Sequence, residues 1–171
     1  DADKAIETAR TMARAGAALL DVGGESTRPG SDPVDEAEEW RRIEPVVTSL
    51  VADGLVVSCD TRKAAIMQKV TRAGVAMIND VSALTYDEDA LDATASSGLP
   101  VCLMHAQGDP KTMPHNPAYD HVVLDVYDWL ERRIEAVAAS GISRDLIIAD
   151  PGIGFGKTFA HNLQLMAGLT L

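Results

Sequence analysis

The apolar run Leu146-Ile147-Ile148-Ala149 leads directly into Asp150-Pro151-Gly152-Ile153-Gly154-Phe155-Gly156-Lys157-Thr158. This stretch predicts a short buried strand that ends in a carboxylate and opens into a loop with three alternating glycines. Glycine lacks a Cβ, so such a loop can bend sharply and bring its N–H groups close to a ligand. The stretch fits neither common nucleotide motif. Pro151 stands where a Walker loop needs its first glycine, and the dinucleotide pattern would need its third glycine one residue later.

Four earlier apolar runs repeat this design. Each follows a helical segment that ends in glycine, the usual left-handed helix cap. The runs are short and rich in Val, Ile and Leu, which is typical of parallel strands covered on both faces. They are Ala17 to Val22, Leu55 to Ser58, Val75 to Ile78 and Leu99 to Met104. With the run that ends at Ala149, they predict an alternating α/β chain with five parallel strands.

Helical periodicity is clearest between the fourth and fifth runs. Apolar residues recur there along one face: Val122, Val126, Leu130, Ile134 and Val137. A second helix is predicted to start at Ser31-Asp32-Pro33, which offers a capping side chain and a proline for the first turn. Acidic residues follow at 35, 36, 38 and 39, where they would favour the positive end of the helix.

All five predicted strands finish in polar residues, namely Asp21, Asp60, Asn79-Asp80, His105 and Asp150. A single Asp at such a place is usually a turn former or a helix cap. Five in succession indicate a shared functional face. Ligands of open α/β sheets bind outside the strand carboxyl ends, and the loops at those ends form the active sites of (β/α)₈ barrels. Periodicity alone does not choose between the two architectures.

The composition of the chain makes some classes of binding partner unfavourable. Fifteen basic against 26 acidic residues give a net charge of −11, which argues against nucleic acid but leaves an anionic small substrate possible. Cys59 and Cys102 lie within apolar strands, where a buried unpaired thiol is usual. The four histidines are too scattered to predict a zinc site. No signal peptide or transmembrane run is visible, so we expect a cytoplasmic protein without a membrane partner.

Several strand ends, taken in order, resemble those of the dihydropteroate synthase family. Asp21 to Gly30, with its Glu-Ser-Thr-Arg-Pro-Gly segment, is similar to the loop after the second strand of that family. The segments at Ser58 to Thr61, Ile78 to Ser82 and Met104-His105 resemble the next three strand ends, and Asp150 to Lys157 resembles the sixth. The similarity covers essentially the whole chain, with a minor departure at Ala106-Gln107.

The resemblance implies a (β/α)₈ TIM barrel, which takes about 250 residues. This chain has 171 residues, so it would cover about strands 2 to 6. Residues 1–171 would form a single pterin-binding barrel domain that is incomplete at both ends. We therefore expect the 171-residue chain alone to be inactive.

The resemblance also implies a transferase of folate biosynthesis that is a target of sulfonamides. Its reaction joins 7,8-dihydropterin-6-ylmethyl diphosphate to 4-aminobenzoate and gives dihydropteroate and pyrophosphate. The complete enzyme would be a homodimer that uses Mg²⁺. The Mg²⁺ ligand is expected outside this chain, with none within it.

Site residues carry over from the resemblance to matching positions. Asp60, Asn79 and Asp150, with Met104, would bind the pterin, whose edge carries N–H donors that need rigid acceptors. Asp60 and Asp150 would be catalytic, because carboxylates stabilise the positive charge that develops as diphosphate leaves. The aminobenzoate and the diphosphate would contact Thr27, Arg28, Pro29, Gly154 and Phe155.

Three alternatives stay open. A corrinoid-dependent, pterin-binding methyltransferase would share the barrel and the acceptors, but the loop Thr27-Arg28-Pro29 and Phe155 favour the synthase. An inactive, truncated chain that retains the pterin pocket is the second alternative. The third is an unrelated phosphate-binding barrel.

Overall fold

The computed structural model describes residues 1–27, 31–108 and 117–170. In this part of the chain, five parallel strands lie in the order β1-β2-β3-β4-β5, which is also their order in the sequence. The strands are β1 (Leu20–Gly23), β2 (Val57–Asp60), β3 (Met77–Asp80), β4 (Val101–Met104) and β5 (Ile147–Asp150). The helices are α1 (Ala2–Arg14), α2 (Glu36–Ala52), α3 (Ala64–Ala73), α4 (Ala90–Ser97), α5 (Val122–Ala139) and α6 (Phe159–Ala167). The expected alternating α/β chain with a parallel sheet is confirmed.

The strands begin about two residues later than predicted, and four of the five run on into the polar residues. In β2 and β3 the backbone pairing reaches Asp60 and Asn79, which are register partners. The predicted strand ends at Asp60, Asn79-Asp80 and Asp150 are confirmed, whereas His105 lies one residue beyond the end of β4. The apolar runs stop short of these ends because the last side chains are polar, whereas backbone hydrogen bonding does not depend on the side chain.

The predicted start of α2 at Ser31-Asp32-Pro33 is wrong. The helix begins at Glu36, and Asp35 is its N-cap, with Oδ1 accepting a hydrogen bond from the backbone N–H of Glu38 at 2.8 Å. A capping side chain is available both near Ser31 and at Asp35. Only a helix that starts after Asp35 has Glu36 and Glu38 in its first turn, beside the positive end of the helix. The helix predicted from periodicity forms as α5, and Val122, Val126, Leu130 and Val137 are buried.

One face of the sheet carries the helices. Consecutive parallel strands joined by right-handed crossovers place their connecting helices on the same side. Side chains alternate along each strand, and the set that faces the helices forms most of the core. This set includes Leu20, Val57, Cys59, Ile78, Val101 and Leu103, all of them buried.

In the described part of the chain the helices cover one face of the sheet. The side chains of the other set lie on what we call the inner face, where Asp21 in β1 and Ile148 in β5 are exposed but Ser58, Cys102 and Met104 are buried. Cover of the inner face stays a prediction. No helix in the described part of the chain is long and apolar enough to cross a membrane.

Candidate active site

The predicted pterin-binding residues lie on the inner face. Asp60 and Asn79 are register partners, and Asn79 in turn pairs with Cys102. Met104 lies two residues beyond Cys102, on the same face, and pairs with Asp150. The structure thus brings Asp60, Asn79, Met104 and Asp150 together at the carboxyl ends of neighbouring strands.

The Cys102 thiol lies among carboxylates that affect its pKa. Burial raises the pKa of its thiol to about 11, and the surrounding carboxylates of Asp150, Asp21, Asp60 and Asp80 add to that rise. Of these four, Asp150, Asp21 and Asp60 lie on the inner face, so this face offers a ligand mainly acceptors and negative charge.

Asp21 forms hydrogen bonds with two neighbours on this face, although it was predicted only as a polar strand end. Its Oδ1 accepts a hydrogen bond from Ser58 Oγ at 2.5 Å, and its Oδ2 accepts one from Asn79 Nδ2 at 2.9 Å. The second bond turns the Asn79 amide so that its Oδ1 is the group left to accept from a ligand.

Asp60 has the most unusual surroundings of the three predicted acceptors, which are Asp60, Asn79 and Asp150. Its Oδ1 is buried and has no hydrogen-bond partner in the described part of the chain. Burial, and after it the nearby carboxylates of Asp21, Asp80 and Glu39, raise its pKa to about 7, against a lowering by Arg62. A buried acceptor without a partner is rare in native proteins and is typical of a functional site.

Asp80 has a different role. Its side chain faces the helices, and it accepts hydrogen bonds from Ser82 N, Ser82 Oγ and Leu84 N at 2.7, 2.6 and 2.9 Å. These bonds support Ala83 and Leu84, which have positive φ angles of 52° and 61°. Arg133 donates to both carbonyl groups of these two residues, at 2.5 and 2.7 Å. Asp80 thus shapes the loop after β3 and is not offered to a ligand.

A buried ion network supports the loop after β1. Glu25 pairs with Arg62 and Lys63, and Lys63 also pairs with Glu39. Thr61 Oγ1 donates to Glu39 Oε1 at 2.7 Å. The sequence analysis missed this network. The sequence does contain an indication of the network, because Glu39 is a carboxylate on the apolar face of α2 with Ile43, Val46 and Leu50.

A cavity of about 250 Å³ lies above the strand ends. It brings Thr27 and Phe155, from loops far apart in the sequence, together with Met104 and Arg62. Gly154, predicted to lie with Phe155 at the aminobenzoate, is exposed, and its N–H donates to Asn162 Oδ1 at 2.9 Å. Arg28 and Pro29, assigned to the same substrates, lie outside the described residues.

The glycines of the loop after β5 serve the packing of the loop itself. A Cβ on Gly152, where φ is +68°, would stand 1.9 Å from the carbonyl oxygen of His105. A Cβ on Gly156 would stand 2.6 Å from the carbonyl oxygen of Gln107. These two glycines thus allow the loop to lie close against the chain after β4, whereas the expected approach of its N–H groups to a ligand stays a prediction.

Gly152→Ala should therefore lower the free energy of unfolding by about 3 kcal/mol or more, because strain at positive φ adds to a backbone clash. Urea unfolding followed by circular dichroism would measure it. Gly154→Ala is the matched control, since φ is +89° there and nothing lies within 4 Å of its Cβ. It should cost only about 1–2 kcal/mol. Equal losses in the two variants would show that the contact with His105 does not matter.

By the resemblance, the ligand of the implied Mg²⁺ lies outside this chain. Within residues 1–27, 31–108 and 117–170, no three His, Cys, Asp or Glu side chains are grouped so as to hold a metal ion.

Comparison with known proteins identifies the family. The family model described as pterin binding enzyme matches residues 1–170. Dihydropteroate synthase of Haemophilus influenzae is 42% identical over 168 residues, which cover 98% of this chain and 61% of that protein.

Solved structures give the same result. The Yersinia pestis dihydropteroate synthase in complex with a sulfonamide drug has a TM-score of 0.94 and 46% identity, and the match covers 99% of this chain and 61% of that one. The Xanthomonas albilineans enzyme with 4-aminobenzoic acid has a TM-score of 0.91 and 46% identity, over 98% and 59% of the two chains. The chain thus spans about three fifths of the length of these relatives, and its α/β fold is that of consecutive units of a (β/α)₈ barrel. On this evidence the chain belongs to the pterin-binding enzyme family.

Proposed function

We propose that the full-length protein containing this chain is a dihydropteroate synthase. It would join 7,8-dihydropterin-6-ylmethyl diphosphate to 4-aminobenzoate and release pyrophosphate. The identity of more than 40% with enzymes of that name supports this reaction over the methyltransferase alternative. The observation that carries the proposal is the buried, unpartnered Oδ1 of Asp60 beside Asn79, on a face made of acceptors.

The pterin edge is rich in N–H donors, and this face offers the matching acceptors. Asp60 would accept a hydrogen bond from one of these donors and Asp150 from another. Asn79 would accept a third through its Oδ1, because its Nδ2 already donates to Asp21. Met104, between Asn79 and Asp150, would supply apolar contact to the ring. A ligand that donates to Asp60 Oδ1 supplies the hydrogen bond that this buried oxygen lacks within the described part of the chain, so binding there removes an unfavourable state of the free protein.

The second substrate would bind at the cavity. Its amine nitrogen attacks the methylene carbon of the pterin, the C–O bond to the diphosphate breaks, and the amine gives up a proton. Phe155 would contact the benzene ring, and Thr27 would lie near the departing diphosphate. Arg28, Pro29 and Gly154 belong to the same proposal. As positive charge develops on the pterin, Asp60 and Asp150 would stabilise it from the inner face.

Three further properties are proposed for the full-length protein on the family resemblance. They are a Mg²⁺ ion with its ligand outside these 171 residues, homodimeric assembly, and a cytoplasmic location. Each has a direct measurement, respectively metal dependence of turnover, light scattering, and cell fractionation.

The activity test uses the purified full-length protein with both substrates. We expect formation of dihydropteroate that depends on 4-aminobenzoate, with competitive inhibition by a sulfonamide. The matched control is Asp60→Asn, which keeps the shape of the side chain but removes the charge. Absence of product in the wild-type protein, under conditions where a known synthase turns over, would contradict the proposal.

Phe155→Ala should raise the KM for 4-aminobenzoate about tenfold and leave the pterin dissociation constant nearly unchanged. The reason is that the ring supplies apolar contact to the second substrate only, and the loss of such a contact is worth about 1–2 kcal/mol. Steady-state kinetics and calorimetric titration of a pterin would measure the two quantities. If pterin binding weakened and the KM for aminobenzoate did not change, the two subsites would be assigned the wrong way round.

A further inference from the structure

Lys157 ends the glycine loop, and the chemistry proposed so far gives it no task. Its Nζ lies 2.9 Å from His105 Nδ1, 3.2 Å from the carbonyl oxygen of His105 and 3.0 Å from that of Phe155. An ammonium group has three N–H donors and no acceptor. The three neighbouring atoms thus supply one acceptor for each N–H donor of Lys157. His105 Nδ1 must therefore be the ring nitrogen without a proton.

The surroundings keep both side chains in these protonation states. Burial, and then the charge of Lys157, lower the pKa of His105 to about 4, so the ring is neutral near pH 7. Burial lowers the pKa of Lys157 to about 8, against a raising effect of Asp150. Tyr119 and Trp129 contact the His105 ring, with centroids 6.1 and 5.0 Å away. The imidazole is therefore fixed on sides other than the one that Lys157 occupies.

The bonds of Lys157 join two segments that the sequence separates widely. His105 directly follows β4, and Phe155 stands at the middle of the loop after β5. Within that loop, Phe155 N donates to the carbonyl oxygen of Gly152 at 3.1 Å, and Tyr119 Oη donates to that of Gly156 at 2.9 Å. Lys157 adds a direct tie between the backbone of Phe155 and the end of β4. The ring of Phe155 lines the cavity, whereas Lys157 is absent from the described cavity lining.

We propose that Lys157 is a positioning residue, which holds the ring of Phe155 at the cavity and so sets the affinity for the aromatic amine substrate. It would not contact that substrate itself. The inference rests on the proposed function for the identity of the substrate, but the tie itself can be tested without turnover.

A double-mutant cycle in the full-length protein tests whether Lys157 acts through Phe155. Lys157→Met keeps the length of the side chain and removes all three donors. It should raise the KM for 4-aminobenzoate about tenfold, with kcat and the pterin dissociation constant changed less than about twofold. In a Phe155→Ala background the same substitution should change the KM less than about twofold, since residues that act through one another are not additive. An equal effect in both backgrounds, or no effect on KM, would overturn the proposal.

Two companion variants make the cycle specific. Lys4→Met, on the exposed side of α1, removes a lysine far from the site and should leave every constant unchanged. If Lys157→Met does not fold, Lys157→Arg takes its place, because a planar guanidinium keeps the charge but cannot aim three donors from one atom. It should give a smaller rise in KM that also disappears in the Phe155→Ala background, and a rise that persists there would count against the proposal.

Hydrogen exchange separates this inference from the proposed function. The amide of Phe155 donates to Gly152 within the loop, and the amide of Gly154 donates to Asn162 of α6, so Lys157→Met should speed the exchange of both about tenfold or more relative to the wild-type protein and to Lys4→Met. If the wild-type protein makes no dihydropteroate, the proposed function fails, and exchange still decides the role of Lys157. Unchanged exchange of both amides would overturn the positioning role even in an active enzyme.

Discussion

Lys63→Met should lower the free energy of unfolding by about 3–5 kcal/mol, the usual cost of removing one partner from a buried ion pair. The Lys63 ammonium lies between the carboxylates of Glu25 and Glu39, and the side chains of all three are less than a tenth exposed. Methionine fills the same space but leaves Glu39 with only the hydroxyl of Thr61 as a donor among these groups. The remaining buried charge, rather than the lost attraction, makes up most of the cost.

The loss should depend on pH with a definite sign. Burial by itself would raise the pKa of Glu25, but hydrogen bonds from Lys63 and Arg62 outweigh it and lower that pKa overall. A carboxyl with a lowered pKa contributes stability above its unfolded value, and this contribution is lost as the pH falls through its folded value. The difference between wild-type protein and variant should therefore be largest near pH 7 and shrink in acid.

Urea unfolding at several pH values would measure this difference. Lys69→Met in α3, the helix that directly follows Lys63, is the control, because Nζ of Lys69 lies 5.5 Å from the centroid of the Trp40 ring and forms a weaker interaction. It should cost less than about 1 kcal/mol. Adding Glu39→Gln to Lys63→Met should cost less than the sum of the two single changes, since the second change removes the orphaned charge. Equal losses for Lys63 and Lys69 would mean that the network does not stabilise the fold.

Asp60→Asn should have opposite effects on stability and on binding. The folded protein holds the Asp60 carboxyl at a pKa of about 7, well above the ordinary value of 3.8. A raised carboxyl pKa means that the folded state binds more protons than the unfolded state between those two values. Stability from this group therefore falls as the pH rises from about 4 to about 7. Asparagine carries no such penalty, so the variant should be more stable at pH 8, on the order of 2–4 kcal/mol.

Pterin binding by the same variant should weaken roughly 10- to 150-fold, because a charged acceptor is worth about 1.5–3 kcal/mol in a hydrogen bond. Thermal unfolding between pH 4 and pH 8, with calorimetric pterin titration at pH 8, measures both effects. Asp92→Asn on the exposed side of α4 is the control and should change neither quantity. A variant that lost stability at pH 8, or whose gain did not shrink toward pH 4, would show that Asp60 is not held at a raised pKa.

Together the two variants contrast two kinds of buried charge. The charges of the Lys63 network are paired, and the network supports the loop that carries Thr27. Asp60 has an unpartnered oxygen at the carboxyl end of β2. Proteins keep such costly groups where a ligand supplies the missing partner.

The sequence by itself determined the elements and the family. Strands and glycine-capped helices are encoded locally, so the apolar runs near Leu20, Val57, Ile78, Val101 and Ile147 could be predicted without the structure. The strand-end motifs identified the family for the same reason, since each lies within a few consecutive residues.

The tertiary structure decided which side chains meet. Asn79 bonds to Asp21 across 58 positions, and Lys63 bonds to Glu25 across 38. The start of α2 at Glu36 rather than near Ser31 was likewise settled only in three dimensions. The physical reason is that strand register and helix packing, rather than the type of residue, bring distant groups within hydrogen-bonding distance and remove them from water. The unpartnered oxygen of Asp60 and the three acceptors around Lys157 are consequences of that packing.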